Sequence, residues 1–362
     1  MNFKCYTFKD LAEFRYGKMP QKSRLMEKGV YPVFSGYRYV GYYDEYNVEA
    51  NKLIVIARGV GGTGEVKITR EKCYLTNLSI VVDIKDESVV STKYLYYLFR
   101  VHNLRYLDSG SAQSQITISD LEKLQIMLPE ISVQKKIARF FSNIDEKILV
   151  NMEINKNLEE QAQAIFVHLF SDRPYHLGTL SQIADVIMGQ SPRGESYNET
   201  KSGALFFQGR ADFGFRFPTP RLYTTEPKRM AQAGDVLLSV RAPVGDLNIA
   251  LEPCCIGRGI AAIRSIDGRP SFLFYCLLSQ KDQFDVFNGE GTVFGSINSN
   301  ALKSMEVRIP PKKLLDHFEE MVAPIDTVIR VTSEEILYLT ALRDILLHRL
   351  MSGELDVSNI EL

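Results

Sequence analysis

No run of apolar residues approaches the ~18 that a membrane span needs, and the opening MNFKCYTFKD carries no apolar signal core. Cysteine is scarce. Cys5, Cys73, Cys254, Cys255 and Cys276 form no CxxC or CxxH pair and no even framework, which excludes a zinc site and a disulfide scaffold and leaves reduced thiols in or near cores. A soluble, reducing, cytoplasmic setting is the expectation. Histidine is no richer: none of His102, His168, His176, His317 and His348 stands at ligand spacing from a cysteine or an acid, so no metal site is expected. Charge is nearly absent in sum, at −1, which argues against a uniformly basic nucleic-acid binder. Its distribution is uneven: +3 over residues 1–130, 0 over 131–170, +1 over 171–310 and −5 over 311–362. A polyanion would therefore sit on the globular parts.

Catalytic signatures are missing as well. Phe287 to Gly291 fits the FxGxG loop of S-adenosylmethionine-dependent methyltransferases, but Gln283 to Asp285 stand where an apolar strand should precede it, and no Asn-Pro-Pro-Tyr tetrapeptide occurs. Gly59 to Glu65 has the glycine spacing of a phosphate loop, yet Glu65 occupies the place of the lysine and would repel phosphate. Glu65-Val66-Lys67 supplies half of a nuclease motif without a Pro-Asp at a suitable distance upstream. Each pattern fails on a residue its chemistry requires.

What the chain does have is a large internal repeat. Ile137, Phe141, Ile144, Ile148, Asn151, Asn155, Leu158, Ala162, Ile165 and Leu169 alternate steps of four and three, the spacing of a coiled-coil seam. Adding 181 gives Phe318, Val322, Ile325, Ile329, Thr332, Ile336, Leu339, Arg343, Leu346 and Leu350, the same seam again. The register extends through Gly110 and Gly291, Ile116 and Ile297, Leu121 and Leu302, Pro129 and Pro310, and Asp145 and Asp326. So long a period means that a whole domain with its helix is duplicated, giving the order domain, helix, domain, helix.

Both halves open alike, at Tyr6 to Ala12 and Tyr175 to Ala184, and each reaches a Gly-x-x-Pro turn, Gly17 to Pro20 and Gly189 to Pro192. A short buried strand follows in each, Leu53 to Ala57 and Val236 to Val240, and ends at an equivalent arginine, Arg58 or Arg241. Next come an apolar strand (Leu78 to Val82; Ile260 to Ile263) and an aromatic-aliphatic helix start (Tyr94 to Leu98; Phe272 to Cys276). The segments in between, Tyr31 to Tyr43 and Phe206 to Phe217, differ freely but are both aromatic, glycine-rich and sparsely basic. That composition suits contact with DNA, and equally suits strands with aromatics in the core.

The whole pattern resembles the specificity (S) subunit of type I restriction-modification enzymes. The residues that carry the resemblance are Leu121, Leu124, Ile126, Pro129, Gln134, Ile137, Ala138, Ile144 and Asp145 before and within the first helix. Gly234 to Leu237 with Arg241 to Gly245 match the family's central strand and loop. The second half departs from the pattern, with Leu315 and Asp316 near the usual glutamine and Pro324 interrupting the seam.

The resemblance implies a mixed α/β (α+β) fold of two target recognition domains, residues 1–130 and 172–311. Each is followed by a helix, 131–171 and 312–352, with a tail at 353–362, and the helices pack as an antiparallel coiled coil with pseudo-two-fold symmetry. It also implies a non-catalytic subunit that reads a bipartite, gapped double-stranded target for two methyltransferase subunits, with restriction subunits joining where the system has them. S-adenosylmethionine, ATP and Mg would bind those partners and no cofactor this chain. DNA contacts are expected from Lys18, Arg24, Tyr37, Arg38, Arg58, Gly61 and Thr63, and from Arg193, Gln208, Arg210, Arg216, Arg221, Arg241 and Arg258. For Arg58 and Arg241 the alternative is an ion pair with Glu65 or Asp246. The helix pair should bury Ile137, Ile144, Ile148, Leu158 and Ile165 against Ile325, Ile329, Ile336, Leu339 and Leu346, with Asn151, Asn155, Thr332 and Arg343 fixing register. Two other classes stand beside this one. A standalone DNA methyltransferase or nuclease would need the missing catalytic motif, and a coiled-coil adaptor would show no salt-dependent binding to duplex DNA.

Overall fold

A computed structural model of the chain describes residues 2–36, 38–59, 62–108, 114–171, 175–288 and 295–356. Gly110 and Gly291 of the repeat lie outside the described residues. The chain divides into two compact units, unit 1 formed by residues 1–149 and 338–362 and unit 2 by residues 150–337.

Unit 1 begins with β1 (Lys4–Thr7), the single turn α1 (Phe8–Leu11) and β2 (Ala12–Tyr16). It continues through β3 (Tyr31–Ser35), β4 (Arg38–Tyr43), β5 (Leu53–Ile56), β6 (Val66–Ile68), β7 (Tyr74–Leu75) and β8 (Ser79–Ile84) to α2 (Thr92–Val101), α3 (Ile118–Glu122) and β9 (Gln125–Leu128). Its centre is the antiparallel sheet β2-β8-β5-β6. Every residue of β5 is buried, which is why its sequence is an unbroken apolar run, whereas edge strand β2 leaves Glu13 and Arg15 exposed. A second sheet, β4-β3-β7, holds the tyrosine-rich hairpin, and β1 pairs with β9 as a ribbon ahead of the helix α4 (Ile131–Phe170).

Unit 2 repeats this plan with more strands: β10 (His176–Thr179), β11 (Ala184–Met188), β12 (Tyr197–Asn198), β13 (Ala204–Phe207), β14 (Leu222–Thr224), β15 (Met230–Ala231), β16 (Val236–Ser239), β17 (Leu247–Ile249), β18 (Cys254–Ile256) and β19 (Ile260–Ser265). Helices α5 (Pro270–Leu278), α6 (Lys281–Asp285) and α7 (Ser299–Lys303), strand β20 (Glu306–Ile309) and helix α8 (Lys312–Met351) complete the chain. The sheet β11-β19-β16-β17 is the counterpart of β2-β8-β5-β6, and the ribbon β10-β20 that of β1-β9. Cys73, Cys254, Cys255 and Cys276 are buried and Cys5 is exposed, all as free thiols. Burial pushes the Cys73 thiol up to about 11.

The long helices run antiparallel within unit 2, where Asn151 Nδ2 donates to Glu335 (2.7 Å), Asn155 Nδ2 to Ser333 Oγ (3.0 Å) and Thr332 Oγ1 to Asn155 Oδ1, while Phe166 packs on Phe318. Within unit 1, Arg343 Nη1 donates to Asp145 (2.8 Å). Every polar seam position thus finds a partner on the facing helix. Ile137, Ile144, Ile148 and Ile329 are buried, but Leu158, Ile165, Ile325, Ile336, Leu339 and Leu346 are only half-buried. Toward the C-terminal ends the seam positions Ala162 and Leu350 are still buried, but Phe166 and Phe170 on α4 and Leu347 on α8 are buried where Ile165, Leu169 and Leu346 are not. The seam has drifted by about one residue, as a straight helix does against a strict seven-residue repeat. Pro324 sits exposed inside α8 without ending it, because buried Val322 and Ile329 pin the turns on either side.

Candidate nucleic-acid interface

Each unit gathers its loops at one end of the central sheet by the same set of main-chain hydrogen bonds. In unit 1 Gly17 N donates to Ser79 O (3.1 Å), Lys18 N to Leu75 O (2.9 Å), Thr76 N to Phe34 O (3.0 Å), Ala57 N to Leu78 O (2.8 Å) and Ile116 N to Ala57 O (2.9 Å). In unit 2 the counterparts are Gly189 N to Ile260 O (2.9 Å), Gln190 N to Ile256 O (2.9 Å), Gly257 N to Phe207 O (2.8 Å), Val240 N to Gly259 O (2.9 Å) and Ile297 N to Val240 O (3.1 Å). This convergence explains the glycine of both Gly-x-x-Pro turns. A Cβ at Gly17 would stand 2.3 Å from Leu75 O, and one at Gly189 2.1 Å from Gly257 O, so no side chain fits.

Arg58 and Arg241 leave the central strands at this end, and each forms one isolated backbone bridge, to Gln115 and to Ser296. Arg241 is exposed. Arg58 is half-buried, and its Nε is itself buried without a hydrogen-bond partner among the described residues, so any contact it makes to a ligand would come from the outer end of the guanidinium. Lys18 and Arg38 are exposed in unit 1; Arg193, Gln208, Arg210, Arg221 and Arg258 are exposed in unit 2. Arg258 N donates to Ser191 Oγ (3.2 Å), which sets it against the Gly-x-x-Pro turn. Asp246 pairs with Arg210 (2.5 Å) and not with Arg241, and Asp212 pairs with Arg221 (3.3 Å). Both arginines are more than half exposed, at 58% and 61%; such pairs hold weakly in water, and a guanidinium there can exchange carboxylate for phosphate.

The expectation of DNA contact is corrected at two positions. Arg216 lies inside unit 2, its side chain 1% exposed. Its Nη1 donates to Glu159 (2.9 Å), its Nη2 to Asp326 (2.5 Å) and to Tyr275 Oη (3.2 Å), and its guanidinium stands 3.6 Å from the ring centroid of Phe274. Burial pushes the Glu159 carboxyl up, against the pull of Arg216. A guanidinium so enclosed cannot touch an external duplex. Thr63 is also buried, its hydroxyl donating to Gly59 O (3.1 Å) to close the glycine loop. Gly64 of that loop has φ +89 and packs against the Arg105 backbone, so this glycine serves packing where a phosphate loop was imitated. Arg24 pairs with Asp44 (2.6 Å) and Glu45 (3.4 Å) over the Tyr43 ring, and the hydrogen bond to Arg24 holds the Asp44 carboxyl below its ordinary value. Tyr37 and Gly61 lie outside the described residues.

Sequence reasoning missed two features. Asp212 is buried and accepts from Gln208 N (2.7 Å) and Gly209 N (3.3 Å), so it shapes the turn that presents Arg210; an aspartate three residues after a glycine was the available clue. In unit 1 Leu25, Met26, Tyr39 and Val40 stay 37 to 51% exposed around a groove of about 450 Å³. Among the described residues no His, Cys, Asp or Glu cluster could hold a metal, and no helix is long and apolar enough to cross a membrane.

The profile of a family described as the type I restriction modification DNA specificity domain matches residues 1–160 and again 179–334, one match per half of the repeat. The chain is 30% identical over 309 residues to a protein named as the specificity subunit of the MjaX type I restriction enzyme of Methanocaldococcus jannaschii, covering 78% of this chain and 72% of that one. It is 20% identical over 382 residues to the HindI type I restriction enzyme specificity subunit of Haemophilus influenzae, covering 78% and 81%. The crystal structure of a type I restriction-modification S subunit from M. genitalium matches with a TM-score of 0.71 at 20% identity, over 96% of both chains. That last likeness is one of fold.

Proposed function

The chain belongs to the type I restriction-modification DNA specificity family, and on that premise we propose that it reads a bipartite DNA target with one half-site at the loop end of each unit. In this family the specificity subunit recognises DNA and catalysis sits on partner subunits. The observation that carries the reading is the doubled loop end, where the same five main-chain hydrogen bonds place Arg58 and Arg241 equivalently. An arginine emerging from a buried strand is held well enough to meet the O6 and N7 edge of a guanine, while exposed neighbours such as Lys18 and Arg258 meet phosphates. The exposed Met26, Tyr39 and Val40 suit thymine methyl groups or sugars. Two methyltransferase subunits would dock on the repeated surfaces, and they, with any restriction subunits, would carry S-adenosylmethionine, ATP and Mg in the cytoplasm.

Replacing Arg58 or Arg241 by Ala should weaken binding of the assembled complex to its target by about 1 to 3 kcal/mol each if the residue meets a base edge. Unchanged affinity in both variants at physiological salt would remove the DNA role. The helix pair is the spacer in this reading. Four residues inserted after Glu153 add about 6 Å of helix, which at about 3.4 Å per base pair should lengthen the gap by one or two base pairs and leave the half-sites alone. Sequencing the methylated sites decides it, and altered half-sites with an unaltered gap would discard the spacer.

A further inference from the structure

Between β13 and β14 the chain of unit 2 makes an excursion from Gln208 to Arg221. Both ends stand at the loop end of the sheet. Gln208 O lies where a Cβ at Gly257 or Gly259 would come within 2.9 Å of it, and Arg221 Nη2 donates to the Asp212 carboxylate (3.3 Å), which also accepts from Gln208 N. The middle of the excursion is elsewhere. Ile249 N donates to Arg216 O (2.9 Å), and Gly214 exchanges two hydrogen bonds with the Asn248 side chain (3.0 and 3.1 Å), so the segment lies along β17, the last strand of its sheet. From there the Arg216 guanidinium reaches Glu159 on α4, Asp326 on α8 and Tyr275 on α5.

We propose that Arg216 is a positioning residue for DNA reading: it anchors the excursion on both long helices and thereby fixes Gln208, Arg210 and Arg221 at the loop end of unit 2. The inference rests on the reading that this end meets DNA. The limbs of the excursion are tied to each other by Thr219 N donating to Asp212 O (2.8 Å) and by the bridge between Phe213 and Pro218, so a displacement at Arg216 is passed to both. A planar guanidinium suits the task, because its fork engages two carboxylates at once where an ammonium offers a point charge. Neutralising the acid does not by itself call for a cation from this segment. In unit 1 the matching Asp145 takes its arginine, Arg343, from a long helix.

The test uses the full chain assembled with methyltransferase subunits, whose methylated sites are mapped on a randomised DNA library. Arg216→Met should lower base discrimination about tenfold or more at one half-site, the one that Arg241→Ala also alters, and leave the other as in the wild type. A variant combining Arg216→Met, Glu159→Gln and Asp326→Asn removes the anchor without stranding a charge; it should melt close to the wild type and still lose that discrimination. Arg216→Lys, which keeps the charge, should show faster amide exchange over residues 208–221 with the rest of unit 2 unchanged. Wild-type discrimination in either Arg216→Met variant, loss at both half-sites together, or unchanged exchange in Arg216→Lys would overturn the proposal. A wild-type complex without sequence preference would instead fail the DNA-reading function itself.

Discussion

In unit 1, Asp145 of α4 accepts from Tyr97 Oη (2.8 Å) and from Arg343 of α8 (2.8 Å), with Arg100 Nη1 at 3.5 Å. In unit 2, Asp326 of α8 accepts from Tyr275 Oη (3.1 Å) and from Arg216 (2.5 Å), which arrives from the excursion between β13 and β14. The aspartates are positions of the 181-residue repeat, and the tyrosines hold matching places in the helix starts Tyr94 to Leu98 and Phe272 to Cys276. The cation is not repeated, for Ala162 stands in the first helix where the second has Arg343. A buried carboxylate needs a partner, but which element supplies it is open, and that freedom lets a variable loop become part of the frame in one unit and not in the other.

The N-terminal ends of α2 and α5 show the same trade. Gln134, fully buried, accepts from Ser91 N (3.0 Å) and donates to Val89 O (3.0 Å) and Pro129 O (2.9 Å). Its repeat position is the apolar Leu315, and one turn later Glu319 accepts from Phe272 N (2.7 Å). The departure from the family pattern at Leu315 is thus made good by an acid four residues on, which burial pushes above its ordinary value.

The largest expected break of this comparison is Arg216→Met, which strands two acids and should cost about 3 kcal/mol in chemical denaturation, the low end for a broken buried pair because both carboxylates keep some solvent. Burial already raises Glu159, and loss of Arg216 raises it further. A raised carboxyl penalises the fold above its folded pKa and is relieved as pH falls through that value toward the ordinary carboxylate range. The deficit should therefore shrink as pH falls from neutrality toward the ordinary carboxylate range; a deficit constant over that fall would deny the charge origin. Gln134→Leu comes next, at about 2 kcal/mol, since it leaves a buried N–H and two carbonyls unpaired. Adding Ala138→Glu imports the arrangement of unit 2 and should recover part of the loss, and a melting temperature no higher than that of Gln134→Leu alone would show that the caps are not interchangeable. Arg343→Met should cost least, about 1 kcal/mol, because Tyr97 and Arg100 still face Asp145. Its methylated half-sites should stay those of the wild type, and an effect as large as that of Arg216→Met would erase the distinction between the units.

Much of the frame was legible because it rests on local periodicity. The seam residues Ile137, Ile144 and Ile148 and the buried strands β5 and β16 announce themselves as apolar runs or repeats, and a 181-residue period doubles every such observation. The shift to Phe166 and Leu347 was not legible, since it accumulates over the length of a helix. Nor was the burial of Arg216. An arginine flanked by Phe215 and Phe217 looks the same whether it meets a base or a ring, and the acids that decide the matter lie 57 and 110 residues away. Thr63 was misjudged for a related reason: a glycine loop that cradles phosphate and one that packs on a neighbouring backbone share a composition.

The bonds that assemble each loop end run from main chain to main chain. They are therefore indifferent to nearly every side chain along them, and the tightest demand falls on Gly17 and Gly189, where no Cβ can be accommodated. A scaffold of this kind tolerates replacement of Lys18, Gln190 or Arg258 without renegotiating its skeleton. If the loop ends read DNA as proposed, what is read can drift one side chain at a time, at little cost to folding, while the reading surface keeps its place.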